Sequence, residues 1–209
     1  MIEIVYPYYN NHAAFDAIKE KLSILPCKIT IVDDGSNPAL QSDIKNIRIM
    51  RIEGDKPWNQ ANANNIGIRS IDQDSVVLRM DIDHYIEPDD FPIFEKIAKT
   101  LPEKTIVNFK RYRKDSECVI NCGCNIFLMR RQDFVDIGGY DESFCGNYGY
   151  EDKEMLFRAK HKGYQSLVSD DCLIYVNGLF PTRGLNRNID INKEKFESIL
   201  EKHKISLYK

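Results

Sequence analysis

Long apolar runs are missing from this 209-residue sequence. A membrane-spanning helix needs about 18 or more consecutive apolar residues, and no stretch approaches that length. After Met1 the chain continues with Ile2-Glu3-Ile4-Val5, without a basic segment followed by a long apolar one, so we expect no secretory signal. These absences predict a cytoplasmic protein without a membrane span.

An excess of positive charge is missing as well. Lys and Arg number 29 against 32 Asp and Glu, which gives a net charge of −3. Because a nucleic-acid-binding protein usually presents a basic face, we expect no nucleic-acid partner. The charged fraction of 29% and the hydrophobic fraction of 43% are those of an ordinary folded protein, and the chain is long enough to bury a sizeable core.

Cysteine pairs of the Cys-x-x-Cys type are also missing. Three of the six cysteines cluster at Cys118, Cys122 and Cys124. We expect Cys122 and Cys124 to share one face of a strand, and structural zinc sites prefer paired cysteines. Reduced structural thiols are therefore favoured over a zinc site.

Short apolar runs alternate with segments of helical periodicity in the first hundred residues. The predicted strands cover residues 2–6, 28–32, 47–52 and 76–80, and the predicted helices cover 13–22, 62–70 and 88–99. This alternation predicts an α/β fold with a mostly parallel central sheet flanked by helices. Ligands bind beyond the carboxyl ends of such strands, so polar residues that follow the strands should meet on one rim.

The pattern changes near residue 101, where longer strands are predicted. These strands cover residues 105–112, 119–130 and 173–176, and Gly123 interrupts the second of them. Helices are predicted over 131–137, 151–162 and 193–207. Residues 180–188, which contain Pro181 and Gly184, are expected to form a mobile loop.

Carboxylates stand where three apolar runs stop. The three groups are Asp33-Asp34-Gly35-Ser36, Asp81-Ile82-Asp83 and Glu151-Asp152. Together they can accept hydrogen bonds from a nucleotide, ligate a divalent cation and take a proton from an acceptor hydroxyl. Together they are the groups that a transfer of a sugar from a nucleotide to an alcohol would use, and their order along the chain is more informative than any one of them.

Each group also has a simpler interpretation. Asp81 and Asp83 offer the oxygen ligands that Mn²⁺ or Mg²⁺ prefers, but they could form only a polar corner after a strand. Glu151-Asp152 could cap a helix, or one of the two could be a general base, and both can hold at once.

The remaining candidates are aromatic and amide residues. Tyr8 and Tyr9 could stack on a base or belong to the core, and the acids at 33–34 could form only a turn. The amide-rich run after Trp58, which includes Asn59 and Asn65, suits polar ligand contacts or a solvated helix face.

In these residues the chain resembles the nucleotide-diphospho-sugar transferases of the GT-A fold, especially the family-2-like inverting glycosyltransferases. The likeness is carried by Pro7-Tyr8-Tyr9-Asn10, Asp33-Asp34-Gly35-Ser36 and Asp81-Ile82-Asp83. Residues 138–142 and 148–152 are similar to the acceptor segment of animal galactosyltransferases. The run from Trp58 to Gly67 is similar to a separate run of that family, Phe-Asn-Arg-Ala followed by Asn-x-Gly.

The resemblance implies a metal-dependent inverting glycosyltransferase that moves a sugar from a nucleotide-sugar, with UDP favoured, to a hydroxyl of a glycan acceptor. It makes Asp152 the base and Glu151 an acceptor or structural contact. It makes Asp83 the principal ligand of Mn²⁺ or Mg²⁺, with Asp81 toward the ribose or a bridging water. The implied nucleotide contacts are Pro7, Tyr8, Tyr9, Asp33, Asp34, Asn59, Asn65 and Asp81.

Three departures from the family pattern stand out. Gln60 and Asn64 occupy positions where arginines are frequent. No histidine follows the last strand, where many relatives have a metal ligand, and Asn177 stands near that place. His84 is expected to be a neighbour of the metal site rather than a ligand. Arg183 and Arg187, in the predicted loop, are expected to supply the missing charge to the diphosphate.

The resemblance also implies a domain organisation. A nucleotide-sugar-binding lobe would cover residues 1–100, an acceptor-binding and catalytic lobe 101–190, and a C-terminal amphipathic helix 191–209, all within one compact domain. A non-catalytic nucleotide-sugar-binding module and a retaining transferase remain as alternatives. A nucleotidylyltransferase is disfavoured because the first strand is not followed by a Gly-rich loop with Arg and Lys. The sugar, the acceptor and the oligomeric state are not determined by the sequence.

Overall fold

A computed structural model describes residues 1–54, 56–178 and 186–203, and within them the chain forms nine β-strands and six α-helices. The strands are β1 (Ile2–Tyr8), β2 (Lys28–Asp34), β3 (Ile47–Ile52), β4 (Val76–Arg79), β5 (His84–Tyr85), β6 (Thr105–Arg113), β7 (Cys118–Ile120), β8 (Phe127–Arg130) and β9 (Gln165–Val176). The helices are α1 (His12–Ser23), α2 (Gln60–Ser70), α3 (Phe91–Lys99), α4 (Arg131–Ile137), α5 (Glu151–His161) and α6 (Asp190–Lys202). Short 3-10 turns cover Pro88–Asp90 and Glu142–Phe144.

One sheet contains all nine of these strands, in the order β3-β2-β1-β4-β8-β6-β9-β5, with β7 paired to β6. The pairs among β1, β2, β3 and β4 are parallel. Strand β8 runs antiparallel to β4 and to β6, whereas β9 runs parallel to β6. The predicted α/β fold with a central sheet flanked by helices is confirmed, and its parallel half comes from the first four strands.

Continuous apolar sequence explains the centre of the sheet. Every residue of β1 is buried, as are six of the seven residues of β2, because helices cover both faces of these strands. Helix α2 lies close to them at Gly67, where an added Cβ would be 2.6 Å from Val5 Cγ1 and 2.9 Å from Val32 Cγ2. This close approach packs the C-terminal half of α2 against the middle of β1 and β2.

The strand predicted over residues 119–130 is divided in two, and the predicted interruption at Gly123 lies between the two parts. Strand β7 ends at Ile120 and β8 begins at Phe127, with an irregular segment between them. The carbonyl of Asn121 accepts from Arg111 and the amide of Asn125 donates to Asp81, so the segment bonds with side chains instead of a neighbouring strand. Cys122 and Cys124 therefore do not share a strand face, although all six cysteines are free thiols as expected.

Other boundaries differ by several residues. Strand β9 begins at Gln165 instead of residue 173, because its first half pairs with β6 before a register shift between Phe109 and Lys110. Helix α6 begins at Asp190, earlier than expected, and ends at Lys202. The predicted extension of this helix through residues 204–207, and residues 180–185 of the predicted loop with Arg183, lie outside the described residues.

Helix α6 is attached to the segment that precedes α5. Asn192 is buried, and its Nδ2 donates to the carbonyls of Phe144 (3.0 Å), Asn147 (2.9 Å) and Gly149 (2.8 Å). Phe196 and Leu200 pack with Phe144 in a small apolar cluster. The C-terminal helix thus fixes the backbone of residues 144–149. Within the described residues, no helix has both the length and the apolar character needed to cross a membrane.

Candidate active site

A cleft of about 280 Å³ opens at the carboxyl ends of β1, β2 and β4. Its walls include Pro7, Tyr8, Tyr9, Asp34, Asp81 and Asp83. The parallel pairing of the three strands brings their carboxyl ends to the same edge of the sheet. The strand ends therefore meet on one rim, as the alternating sequence pattern predicted.

Asp34 and Asn59 form a polar corner of the cleft. The Nδ2 of Asn59 donates to Asp34 Oδ1 at 2.7 Å, and Asp34 is buried. The ring of Tyr8 packs edge-on against His12, with the centroids 5.7 Å apart, and Tyr9 also lines the cleft. Such an arrangement suits a nucleobase, because an aromatic ring can stack on the base and a carboxylate can accept a hydrogen bond from it.

Asp33, in contrast, does not line the cleft. Its side chain is fully buried, Oδ1 accepts from the backbone N–H of Ser36 at 3.0 Å, and Oδ2 accepts from that of Leu40 at 3.0 Å. Arg51 Nη1 lies 2.7 Å from Oδ2. Because its side chain is fully buried and lies outside the cleft walls, Asp33 shapes the turn after β2, and the structure does not support it as a nucleotide contact.

Asn65 also lies away from the cleft walls. Its Oδ1 accepts from the backbone N–H of Tyr140 at 2.8 Å, and its Nδ2 donates to the carbonyl of Tyr140 at 3.0 Å and to Glu142 Oε1 at 2.8 Å. The side chain is buried and its amide is fully engaged in this way. Asn65 joins α2 to residues 139–142, and the expected nucleotide contact is replaced by this role.

Asp81 is held by three side chains from different elements. Gln60 Nε2 donates to Oδ1 at 3.0 Å, and the Nδ2 of Asn125 donates to Oδ2. Arg79 Nη2 lies 3.0 Å from Oδ1. The helix α2, the irregular segment before β8 and β4 itself therefore fix this carboxylate in one orientation.

Arg79 is a fully buried arginine in the centre of the site. Its Nε donates to Asn64 Oδ1 at 3.0 Å and its Nη1 donates to the carbonyl of Asn125. Burial lowers the pKa of the guanidinium, but Asp81, Tyr140 and Asp152 raise it and prevail, so Arg79 stays charged. The sequence reasoning missed this residue, although an arginine inside the apolar run 76–80 is an observable signal.

Asp81, Asp83 and His84 form a candidate metal centre. One ligand atom from each of the three lies within 4.8 Å of the others. His84 Nδ1 is 2.7 Å from Asp83 Oδ1, and both residues are buried. The two carboxylates supply the oxygen ligands that suit Mn²⁺ or Mg²⁺. His84, expected only as a neighbour, lies close enough to be a third ligand. The backbone N–H of Asn177 donates to the carbonyl of Asp83 at 3.0 Å, which places Asn177 beside this group, whereas its side-chain Nδ2 donates to Ala14.

Glu151 and Asp152 begin α5, and Tyr150, not either acid, is the N-cap residue. The hydroxyl of Tyr140 donates to Asp152 Oδ1 at 2.8 Å. Burial and the charge of Asp152 raise the pKa of Glu151, and burial raises that of Asp152 although Arg79 opposes it. The two acids do not line the main cleft, but Arg79 connects them electrostatically to Asp81.

An aromatic pair and an arginine stand at the cleft wall formed by Trp58 and Tyr148. The ring centroids of these two residues are 4.5 Å apart, and the guanidinium carbon of Arg187 is 6.0 Å and 5.8 Å from them. Trp58 Nε1 donates to the carbonyl of Asn186 at 2.6 Å. The chain that leads into α6 is thereby joined to the first turn of α2.

Two further residues of the site were missed by sequence reasoning. Arg111 on β6 and Asn125 before β8 both line the cleft. Neither lies in a recognisable motif. Asn125 reaches the cleft edge by its bond to Asp81, and Arg111 is held by the carbonyl of Asn121 in the same irregular segment. No local sequence pattern predicts that these two residues belong to the site.

Two family models match the chain. The model of glycosyl transferase family 2 matches residues 3–138, and the model described as the N-terminal domain of galactosyltransferase matches residues 104–177. No curated protein matches significantly.

Solved structures with the same fold share little sequence with the chain. S. aureus TarS 1-349 in complex with UDP-GlcNAc matches with a TM-score of 0.68 and 13% identity, over 87% of this chain and 59% of that one. The mannosyltransferase PcManGT from Pyrobaculum calidifontis, in complex with GDP-Man and Mn²⁺, matches with a TM-score of 0.63 and 14% identity, over 88% and 58%. The catalytic domain of Drosophila beta1,4galactosyltransferase 7 in complex with xylobiose matches with a TM-score of 0.56 and 14% identity, over 91% and 72%.

The chain thus spans somewhat less than 60% of TarS 1-349 and of PcManGT. The family-2 model covers well over half of the chain, and the structural matches have the same GT-A architecture. The resemblance seen in the sequence is confirmed: this chain belongs to glycosyl transferase family 2.

Proposed function

We propose that this protein is a metal-dependent inverting glycosyltransferase, which moves a sugar from a nucleotide-sugar, with UDP favoured, to a hydroxyl of a glycan acceptor. The observation that carries the proposal is the position of Arg79. This buried cation contacts Asp81 of the candidate metal centre and acts electrostatically on Asp152, so both carboxylate groups belong to one charge network. The donors UDP-GlcNAc and GDP-Man in the complexes of TarS and PcManGT support a nucleotide-sugar.

The nucleotide would bind at the polar corner of the cleft. Asp34, oriented by Asn59, and the ring of Tyr9 would hold the base, with Pro7 and Tyr8 as the adjoining wall. Asp81 would face the ribose or a bridging water. UDP is favoured because Asp34 can accept from the imide N–H of uracil.

Asp83 would be the principal ligand of the divalent cation, and Asp81 would contribute directly or through the bridging water. His84 and Asn177 are the further candidates beside them. Mn²⁺ or Mg²⁺ in this position would neutralise negative charge on the departing diphosphate. Arg187, and Arg183 outside the described residues, would add positive charge from the segment before α6.

Asp152 would accept the proton of the acceptor hydroxyl while the acceptor oxygen attacks the anomeric carbon from the face opposite the diphosphate. Tyr140 holds this carboxylate through its hydroxyl, and Glu151 would contact the acceptor or support the start of α5. A single displacement of this kind inverts the configuration.

The proposal is tested by release of nucleoside diphosphate from UDP-, GDP- and dTDP-sugars in the presence of Mn²⁺, Mg²⁺ or EDTA. We expect slow hydrolysis of one donor that is abolished by EDTA and by Asp83→Ala. Asp152→Asn should lower kcat with an acceptor by about 10²–10⁴ and keep donor affinity. Exchange of the exposed Asp72 for Asn is the matched control.

Near-normal turnover by Asp152→Asn would end the assignment of the base. Tight donor binding without turnover, even with a broad acceptor panel, would instead indicate a non-catalytic binding module. The anomeric configuration of the product, read by NMR, decides between inversion and retention.

A further inference from the structure

The cation Arg111 lies in the cleft without a carboxylate to balance it among the described residues. Its neighbours on β6 are paired on the outer surface: Lys110 Nζ lies 2.6 Å from Asp170 Oδ1, and Arg113 bonds with Asp115. The guanidinium of Arg111 instead donates to one backbone carbonyl, that of Asn121, from Nε and Nη2 at 3.2 Å each. Its orientation is fixed, but its charge remains available to a ligand.

The segment between β7 and β8 is shaped around this guanidinium. An added Cβ at Gly123 would be 3.2 Å from Cζ and from Nη1 of Arg111, and 2.3 Å from Asn125 Oδ1. Glycine at this position therefore leaves room for both side chains. An arginine carries five N–H donors, and the two bonds to Asn121 leave most of them for a ligand.

The position of Arg111 decides which part of a donor it can reach. Asn125, which packs against Gly123 beside Arg111, donates to Asp81 of the candidate metal centre. The polar corner with Asp34, Asn59 and the neighbouring tyrosines is formed by a different part of the fold, the ends of β1 and β2 and the start of α2. Arg111 thus stands on the metal side of the cleft, where a bound nucleotide-sugar would place its diphosphate.

We propose that Arg111 binds the diphosphate of the donor and stabilises it as the leaving group. This inference rests on the proposed function. When the bond between the anomeric carbon and the diphosphate oxygen breaks, the bonding electron pair stays on that oxygen and the nucleoside diphosphate gains one negative charge. The acceptor oxygen bonds to the anomeric carbon and its proton passes to Asp152. A fixed guanidinium facing the departing oxygens interacts more strongly as this charge grows.

Arg111 would also compensate for two arginines that are frequent in the family and absent from this chain. Gln60 and Asn64 stand where arginines are frequent; Gln60 donates to Asp81, and Asn64 accepts from Arg79. Arg111 supplies a positive charge to the same cleft from β6.

The test compares binding of UDP with binding of uridine by calorimetry in the presence of Mn²⁺. We expect Arg111→Gln to weaken UDP about 10- to 100-fold, as for the loss of a charge-assisted hydrogen bond, and to leave uridine within about twofold. Arg111→Lys should be intermediate because it keeps the charge without the two-pronged geometry. Lys110→Gln, next to it on the same strand but outside the cleft, should bind both ligands as the wild type does.

Three results would overturn the inference. Unchanged UDP affinity in Arg111→Gln would show that no phosphate contact exists. Equal loss of UDP and uridine, in a variant whose thermal unfolding matches the wild type, would show a structural role in the cleft. If the wild type binds neither UDP nor GDP nor dTDP, the proposed function itself fails and the inference falls with it, whereas failure of the Arg111 assignment alone appears only in the variants.

Discussion

Replacement of Asn65 by alanine tests the role that the structure gives this residue in place of a nucleotide contact. The side chain is buried and makes three hydrogen bonds, two with the backbone of Tyr140 and one with Glu142. Alanine removes all three and leaves the N–H and the carbonyl of Tyr140 without these partners.

The size of the effect follows from these contacts. A buried polar group that loses its partner costs about 1–3 kcal/mol, and water entering the vacated space recovers part of that cost. We therefore expect Asn65→Ala to lower the free energy of unfolding by about 2–4 kcal/mol, a large share of the roughly 5–15 kcal/mol typical of a domain. For a protein of this size the melting temperature should fall by about 5–15 °C.

The assay is thermal unfolding together with UDP binding measured well below the melting temperature. Asn59→Ala is the matched variant, since Asn59 directly precedes α2 and orients Asp34 in the cleft. We expect Asn65→Ala to lose stability but keep UDP affinity, and Asn59→Ala to lose UDP affinity with the smaller loss of stability. A stable Asn65→Ala protein with weakened UDP binding would refute the reasoning.

The other predictions concern pH and packing. Because burial raises the pKa of Asp152, transfer should fall as pH falls through a value above the ordinary aspartate pKa of about 4, and a rate that stays flat down to that pH would contradict this. Burial and the charge of Asp152 raise the pKa of Glu151 to about 8. The stability that the protonated side chain contributes is therefore complete below about pH 4 and is lost as pH rises to about 8. Glu151→Gln should raise the melting temperature progressively over that range and leave it unchanged near pH 4. Gly67→Ala should lower the free energy of unfolding by up to about 2 kcal/mol, because overpacking against Val5 and Val32 exceeds the gain of about 1 kcal/mol in helix propensity; an unchanged melting temperature would contradict it.

Local chemistry made a large part of this protein predictable from its sequence. Buried parallel strands such as β1 and β2 are nearly continuous apolar runs, and the acids at Asp34, Asp81 and Asp83 follow them directly. Strand-end carboxylates meet on one rim whenever such strands pair in parallel, so the cleft could be predicted before its geometry was known.

The tertiary structure decided which polar groups face that cleft. Asp33 and Asp34 are adjacent in sequence, but alternation along β2 turns Asp33 to the Ser36 and Leu40 amides and Asp34 to the cleft. Asn59 directly precedes α2 and Asn65 lies within it, yet of these two only Asn59 lines the cleft. The choice depends on which neighbour satisfies each buried group, and the local sequence pattern does not reveal that neighbour.

Contacts between distant parts of the chain could likewise not be predicted from the sequence. Arg79 is charged and fully buried because Asn64, Asn125 and Asp81 converge on it from three elements. Arg111 reaches the cleft because β6 lies beyond β8 in the sheet and the segment before β8 folds around its guanidinium. The sequence thus determined the strands, the rim and the family. Only the folded chain decided how the charges in the site are balanced, because a charge is balanced by residues that are close in space and not by residues that are close in sequence.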